Sequence, residues 1–220
     1  MSSQFNVHRA DAKSGETESM VVLLHGYGAN GGDLLGLSEV WGPSMPNTLF
    51  VAPDAPSPCD SHPAGRQWFP IEAAGPVDRM DMIHNLIRSF NELNEFLDAE
   101  NERAGVPEEK SILVGFSQGT MMALHVGLRR QRQLAGIVGY SGKLLNPSLL
   151  ESELVSRPPV MLVHGQDDEV VPSSQSIEAD EFLKRSGINS QLYLAPRLGH
   201  SIDMFGLGLA LNFMKTHLDS

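Results

Sequence analysis

Six short apolar runs, separated by longer stretches of helical pattern, constrain this sequence more than any other feature. They are "MVVLLH" (20–25), "TLFVAP" (48–53), "SILVGF" (111–116), "AGIVGY" (135–140), "PVMLVH" (159–164) and "SQLYLA" (190–195). Most are near-continuous in Val, Ile and Leu, as parallel strands covered on both faces require. Only "SQLYLA" alternates, which puts it near a sheet edge. Between the runs lie helical patterns. "DRMDMIHNLIRSFNELNEFLDAENERAG" sets Ile83, Leu86, Ile87, Phe90, Leu93 and Leu97 on one stripe and stops at Gly105 and Pro107. "QGTMMALHVGLRR" is apolar nearly all round and is expected to be buried. "SSQSIEADEFLKRSG" follows Pro172 with serine caps and ends at Gly187. "DMFGLGLALNFMKTHL" closes the chain. Strand alternating with helix predicts an α/β protein, with a mostly parallel central sheet and helices on both faces. The 220 residues suit a single domain over 1–220.

Charge and composition narrow the functional classes. The formal net charge of −11 argues against DNA, RNA and anionic lipid, each of which needs a positive surface. The one dense basic run, Arg129 to Arg132, is expected to end a helix, where cations suit the negative end of the dipole. No apolar run approaches the roughly 20 residues of a membrane helix, so stable membrane insertion is not expected. The N-terminal "MSSQFNVHRADAK" has no apolar core of a secretory signal. The one cysteine, Cys59, forms no internal disulfide, which fits a reducing compartment. Together these point to a cytoplasmic protein. The long segment "SPCDSHPAGRQWFPIEAAGPVD" (57–78) is a loop of the kind that is functional or mobile in a compact domain.

Sites in open α/β sheets lie beyond the carboxyl ends of strands. There "VGFSQGT" carries the G-x-S-x-G arrangement on Gly115, Ser117 and Gly119, between an apolar strand and a helix. A sharp turn at such a place lifts the serine hydroxyl above the sheet, and small residues two before and two after avoid clashes. Ser141 in "GYSGK" also ends a strand but lacks the second glycine spacing. A serine needs a base to take its proton. Among eight histidines, His25 reads as ordering a glycine turn and His125 as a satisfied core histidine. His84 falls in a helix, and His8, His62 and His217 in a terminal segment, a loop and the last helix. His164 ends a strand and is followed at once by an acid-bearing loop. His200, in "RLGHSIDMF", lies after the last strand, where the base falls in the chain order serine, acid, histidine.

The base in turn needs a carboxylate to fix its tautomer. "HGQDDEVVP" supplies two, Asp167 and Asp168, whose side chains point in different directions; only one is expected to face His200. Negative charge on an attacked carbonyl oxygen calls for backbone N–H donors. The residue after the serine, Gln118, and the loop after the first core strand, at Tyr27 between Gly26 and Gly28, are in position to give them. No metal is expected, because the histidines show no H-E-x-x-H or similar ligand spacing.

These pieces together resemble the phospholipase/carboxylesterase family of α/β-hydrolases, which includes the acyl-protein thioesterases. The resemblance runs through "VVLLHGYGANGGDL", "FVAPDAP", "GRQWFPI", "ILVGFSQGTMMAL", "LVHGQDDEVVP" and "LGHSI". It implies an α/β-hydrolase fold; the chain is short and shows no obvious extra lid domain, which departs from the family's pattern. The family's acid motif, H-G-x-x-D-x-x-V-P, falls on His164, Gly165, Asp168, Val171 and Pro172. The resemblance thus implies Ser117 as nucleophile, Asp168 as acid, His200 as base, and the Tyr27 and Gln118 N–H groups as oxyanion hole. Pro70 stands where many members carry Asp after Trp-Phe. Trp68, Phe69 and Ile71 are candidate walls of an acyl pocket, with plain core packing the competing reading for Trp68.

The expected activity is a serine hydrolase cleaving carboxylic esters, with thioesters also open, through an acyl-enzyme and without metal or organic cofactor. Lysophospholipase and acyl-protein thioesterase are the alternatives within that class. A hydrolase fold that binds a ligand without catalysis is the alternative outside it. The expected partner is a small or lipid-like ester, and the resemblance admits a homodimer.

Overall fold

A computed structural model describes residues 5–62, 64–71 and 78–219 of the chain. Positions 63 and 72–77 of the long 57–78 segment lie outside the described residues, as do 1–4 at the N-terminus and residue 220.

The elements run β1 (Val7–Ala10), β2 (Ser19–Leu24), α1 (Gly31–Leu35), α2 (Leu37–Trp41), β3 (Thr48–Pro53), β4 (Ser57–Pro58) and β5 (Arg66–Gln67). They continue α3 (Arg79–Ala104), β6 (Ser111–Phe116), α4 (Gln118–Gly127), β7 (Gly136–Tyr140) and α5 (Pro147–Glu153). The last are β8 (Val160–Gly165), α6 (Ser174–Arg185), β9 (Ser190–Ala195) and α7 (Met204–Leu218). Seven strands form one sheet in the order β1-β3-β2-β6-β7-β8-β9, all pairs parallel except β1 with β3. β9 is an edge, as its alternating pattern predicted. β4 and β5 pair separately and antiparallel, two residues from each strand.

The apolar runs form strands because both of their faces have something to pack on. β2, β3, β7 and β8 are buried along their whole length. Along β2, Met20, Val22 and Leu24 join one core with Leu93, Phe96 and Leu97 of α3, Met121 and Met122 of α4, and Phe182 and Leu183 of α6. Val21 and Leu23 join the other with Trp41, Leu207, Ala210, Phe213 and Met214. Period-two alternation sends successive residues to opposite faces, so one continuous apolar strand feeds two cores. Each fully buried Val or Leu contributes about 1.5–3 kcal/mol over its exposed state.

α3 follows its sequence signals. The Asp78 carboxylate accepts the Met80 and Asp81 N–H groups, and Gly105 closes the helix at φ 66°. Its stripe departs from expectation at Ile87, which is exposed, while Phe96 is fully buried. α4 is buried nearly all round, as expected. α6 starts at the expected place, but Ser173 makes no side-chain cap. Among the described residues no helix is long and apolar enough to cross a membrane.

Strand order reverses beside β2. The chain goes from β2 to β3 on one side and returns to β6 on the other. The loops leaving the carboxyl ends of β2 and β6 therefore diverge and leave a crevice between them.

Candidate active site

Ser117 occupies that crevice alone between β6 and α4. Its φ of 54° and ψ of −113° lie where a residue with a Cβ is strained, at a cost of about 1–3 kcal/mol. The surroundings hold it there. The Ser117 N–H donates to the Tyr140 carbonyl at 2.8 Å, and its own carbonyl accepts the Met121 N–H at 3.2 Å. Thr120 Oγ1 lies 2.8 Å from the carbonyls of both Gly115 and Tyr140. Both flanking glycines are demanded by backbone contact. A Cβ on Gly115 would come 2.4 Å from Gly119, and one on Gly119 would come 1.9 Å from the Leu24 carbonyl oxygen. Ser117 is 8% exposed. Ser141, the rival serine, is fully buried, and its hydroxyl has no partner among the described residues.

Asp168 and His200 come together from the exits of β8 and β9. His200 Nδ1 lies 2.7 Å from Asp168 Oδ2. Asp168 Oδ1 accepts the N–H groups of Val170 and Val171, both at 2.9 Å. Burial raises the Asp168 carboxyl, but hydrogen bonds from His200, Val171 and Val170 outweigh it and hold the group below the ordinary carboxylate value. An ionised carboxylate facing Nδ1 keeps the proton on that nitrogen, which leaves Nε2 as the free acceptor. The His200 ring packs on Phe116, centroids 4.9 Å apart, one residue before Ser117. The Ser117 hydroxyl makes no hydrogen bond among the described residues, to His200 or to any other group. Asp167 faces solvent, and its N–H ties the β8 exit to the Leu198 carbonyl at 2.9 Å. The two exits cross so closely that a Cβ on Gly165 would lie 2.2 Å from that same carbonyl oxygen.

The loop after β2 rests on the serine turn. A Cβ on Gly26 would meet Phe116 at 3.1 Å and the Ser117 Cβ at 3.3 Å. Gly28 has φ 79° and donates its N–H to the Arg66 carbonyl at 2.9 Å. Between them the Tyr27 N–H has no backbone partner among the described residues, and neither has the Gln118 N–H at the start of α4. His25 anchors the loop's root. Its Nε2 accepts the Ala55 N–H at 2.9 Å, so Nδ1 carries the proton and donates to the Gly26 carbonyl at 2.7 Å. Burial lowers its pKa and keeps it neutral.

Sequence reasoning missed the side chain of Gln118. It is buried, and its amide makes two bonds: Oε1 accepts the Trp68 N–H at 2.9 Å, and Nε2 donates to the Phe69 carbonyl at 2.7 Å. Ser89 on α3 donates to the Trp68 carbonyl, and the Trp68 indole N–H donates to the His25 carbonyl at 3.0 Å. Trp68 is fully buried within the core on the α3 side, Phe69 nearly so, and Ile71 packs against the same core. The only sequence signal was the polarity of a residue opening an otherwise apolar helix.

His125 is not a satisfied core histidine. It stacks on Phe90, but its Nδ1 has no partner among the described residues, and burial and Arg129 push its pKa down to about 3. Among the described residues no cluster of three or more His, Cys, Asp or Glu could hold a metal ion.

A mostly parallel sheet covered on both faces, with a serine on a strand-to-helix turn at the point where strand order reverses, defines an α/β-hydrolase. The chain belongs to the phospholipase/carboxylesterase family, whose model matches residues 6–218. It is 31% identical over 169 residues to acyl-protein thioesterase 1 of Schizosaccharomyces pombe, covering 74% of each chain. It is 26% identical over 199 residues to esterase YpfH of Escherichia coli, covering 90% of this chain and 82% of that one. The crystal structure of esterase PE8 superimposes with a TM-score of 0.92 at 39% identity, over 97% of this chain and 99% of that one. A hydrolase of the carboxylesterase type is the class these relatives define.

Proposed function

We propose that the chain is a serine hydrolase that cleaves carboxylic esters through an acyl-enzyme, with Ser117 as nucleophile, His200 as base and Asp168 as acid. The observation that carries this reading is the Asp168–His200 contact of 2.7 Å beside a strained serine turn with two backbone N–H groups that have no backbone partner among the described residues. Ser117 Oγ attacks the carbonyl carbon and passes its proton to His200 Nε2. The Tyr27 and Gln118 N–H groups receive the oxyanion, each worth about 2.7–4 kcal/mol. The C–O bond breaks, and the alcohol leaves with the proton from Nε2. Water then gives its proton to Nε2 and attacks the acyl carbon, and Ser117 recovers its hydroxyl as the acid departs. The serine–imidazole hydrogen bond, not made among the described residues, forms as substrate tightens the site. Trp68, Phe69 and Ile71 shape the acyl side of the pocket, Trp68 from within the core. The domain that does this spans 1–220.

A fluorophosphonate probe tests the nucleophile. Labelling of the parent at Ser117, lost in Ser117→Ala, is expected; well-folded parent protein that stays unlabelled would refute the reading. Thioester cleavage is a second reading, supported by the relative named acyl-protein thioesterase. Matched esters and thioesters from acetyl to palmitoyl separate the two. The outcome turns on loop geometry, because a pocket discriminates a methylene by only ~1–3 kcal/mol.

A further inference from the structure

Asp168 has a second imidazole on it. His164, the last residue but one of β8, is fully buried, and its Nε2 lies 3.1 Å from Asp168 Oδ2, the same oxygen that faces His200. The same Nε2 lies 2.8 Å from the Val171 carbonyl. Both neighbours of Nε2 are acceptors, so that nitrogen must carry a proton. On the far side of the ring, Nδ1 lies 2.7 Å from Ser176 Oγ of α6, which in turn lies 3.2 Å from the Gly142 carbonyl. The titratable groups in contact with this cluster are Asp168 from the β8 exit and His200 from the β9 exit. Among the described residues, α6 and the β7 exit contribute the Ser176 hydroxyl and the Gly142 carbonyl.

We propose that His164 is a positioning residue for the catalytic acid: its Nε2–H shares Asp168 Oδ2 with His200 and sets how strongly the carboxylate draws on the base. The inference rests on the reading of Asp168 as the acid. The Val170 and Val171 N–H groups hold Oδ1, and the His164 N–H, divided between Oδ2 and the nearer Val171 carbonyl, adds a donor on the oxygen that faces His200. The His164 donor also removes electron density from Oδ2. Without it the carboxylate is more basic and holds His200 more strongly as imidazolium. Either way the Ser176 hydroxyl turns, the Nε2 proton faces Asp168 Oδ2 and the Val171 carbonyl.

The test compares His164→Leu and His164→Gln with the parent in kcat/KM against pH, on a short-chain p-nitrophenyl ester. Gln offers an amide donor where Nε2 stood, and Leu offers none. His164→Leu is expected to lower kcat/KM about tenfold and to move its acid limb up by about half a pH unit or more. His164→Gln is expected to restore both in large part. An acid limb that stays in place in His164→Leu overturns the proposal even if activity falls, because a merely structural loss scales the profile without shifting it. If the Leu variant does not fold, ¹⁵N-histidine spectra of the parent decide. The proposal requires a protonated His164 Nε2 throughout the active pH range, and an unprotonated Nε2 overturns it. Asp168→Asn separates the two levels: if that variant keeps parental turnover, the acid assignment itself is at fault.

Discussion

Two aspartates stand side by side at the β8 exit, and their surroundings divide them. Asp168 is buried with donors on both oxygens, while Asp167 faces solvent and contributes only its backbone to the turn. Asp168→Asn should lower kcat/KM by roughly four orders of magnitude, because an amide can leave the imidazole in the wrong tautomer. Asp167→Asn should stay within a few-fold of the parent, about 1 kcal/mol or less in barrier. Steady-state kinetics on one ester decide the pair, and an inverted result would shift the acid by one residue. At this scale the sequence was legible wherever chemistry demands a residue type at a spacing, as at Gly115, Ser117 and Gly119. The Gln118 side chain was not legible, because its partners lie 49 and 50 residues away and nothing local announces them.

The elements that were legible are those with a reason to be apolar. All six runs form strands, because their residues are buried in two cores at once. β1 was not anticipated: its four residues, VHRA, form an antiparallel edge. It is held in part by Arg9 on Glu100 and by His8 and Asn6 on Asp54, which are tertiary contacts. α1 and α2 have five residues each, too few to show a helical period. Within α4, buried nearly all round, His125 is the discordant residue. Its pKa in the folded chain is pushed down to about 3, against about 6.5 when unfolded. The unfolded chain therefore binds a proton that the folded chain refuses, and stability is lost as pH falls from 6.5 towards 3. His125→Leu removes this penalty and the orphan nitrogen with it. The midpoint of thermal unfolding should rise, and its advantage over the parent should widen between pH 7 and 5. A constant or negative difference would contradict the burial argument.

At the scale of the whole molecule, the "RRQR" run shows how a surface expectation turned inward. It lies just past the end of α4, as predicted, but its charges do more than face a helix dipole. Arg130 is buried against Glu108, and it also binds Asp98 and Asn94 of α3. Arg132 reaches Glu108 as well. A long helix, the turn before β6 and the segment after α4 are thus joined by one buried cation. Glu108→Gln leaves Arg130 without its buried counter-charge and should cost about 3–5 kcal/mol in denaturant unfolding. A cost under about 1 kcal/mol would mean that Asp98 alone neutralises the guanidinium.

The amide of Gln118 has one more consequence. Its side chain grips the Trp68–Phe69 backbone, and its own N–H opens the helix directly after Ser117. On the proposed reading, in which Phe69 and Ile71 wall the acyl side, an acyl group there pulls on the same residue whose N–H is proposed to receive the oxyanion. That reading makes selectivity and speed one control, which kinetics can test. Substitutions at Phe69 or Ile71 made to change chain-length preference should alter kcat along with KM, and Gln118→Leu should uncouple the two. Variants whose chain-length optimum moves at constant kcat would show that the linkage is slack.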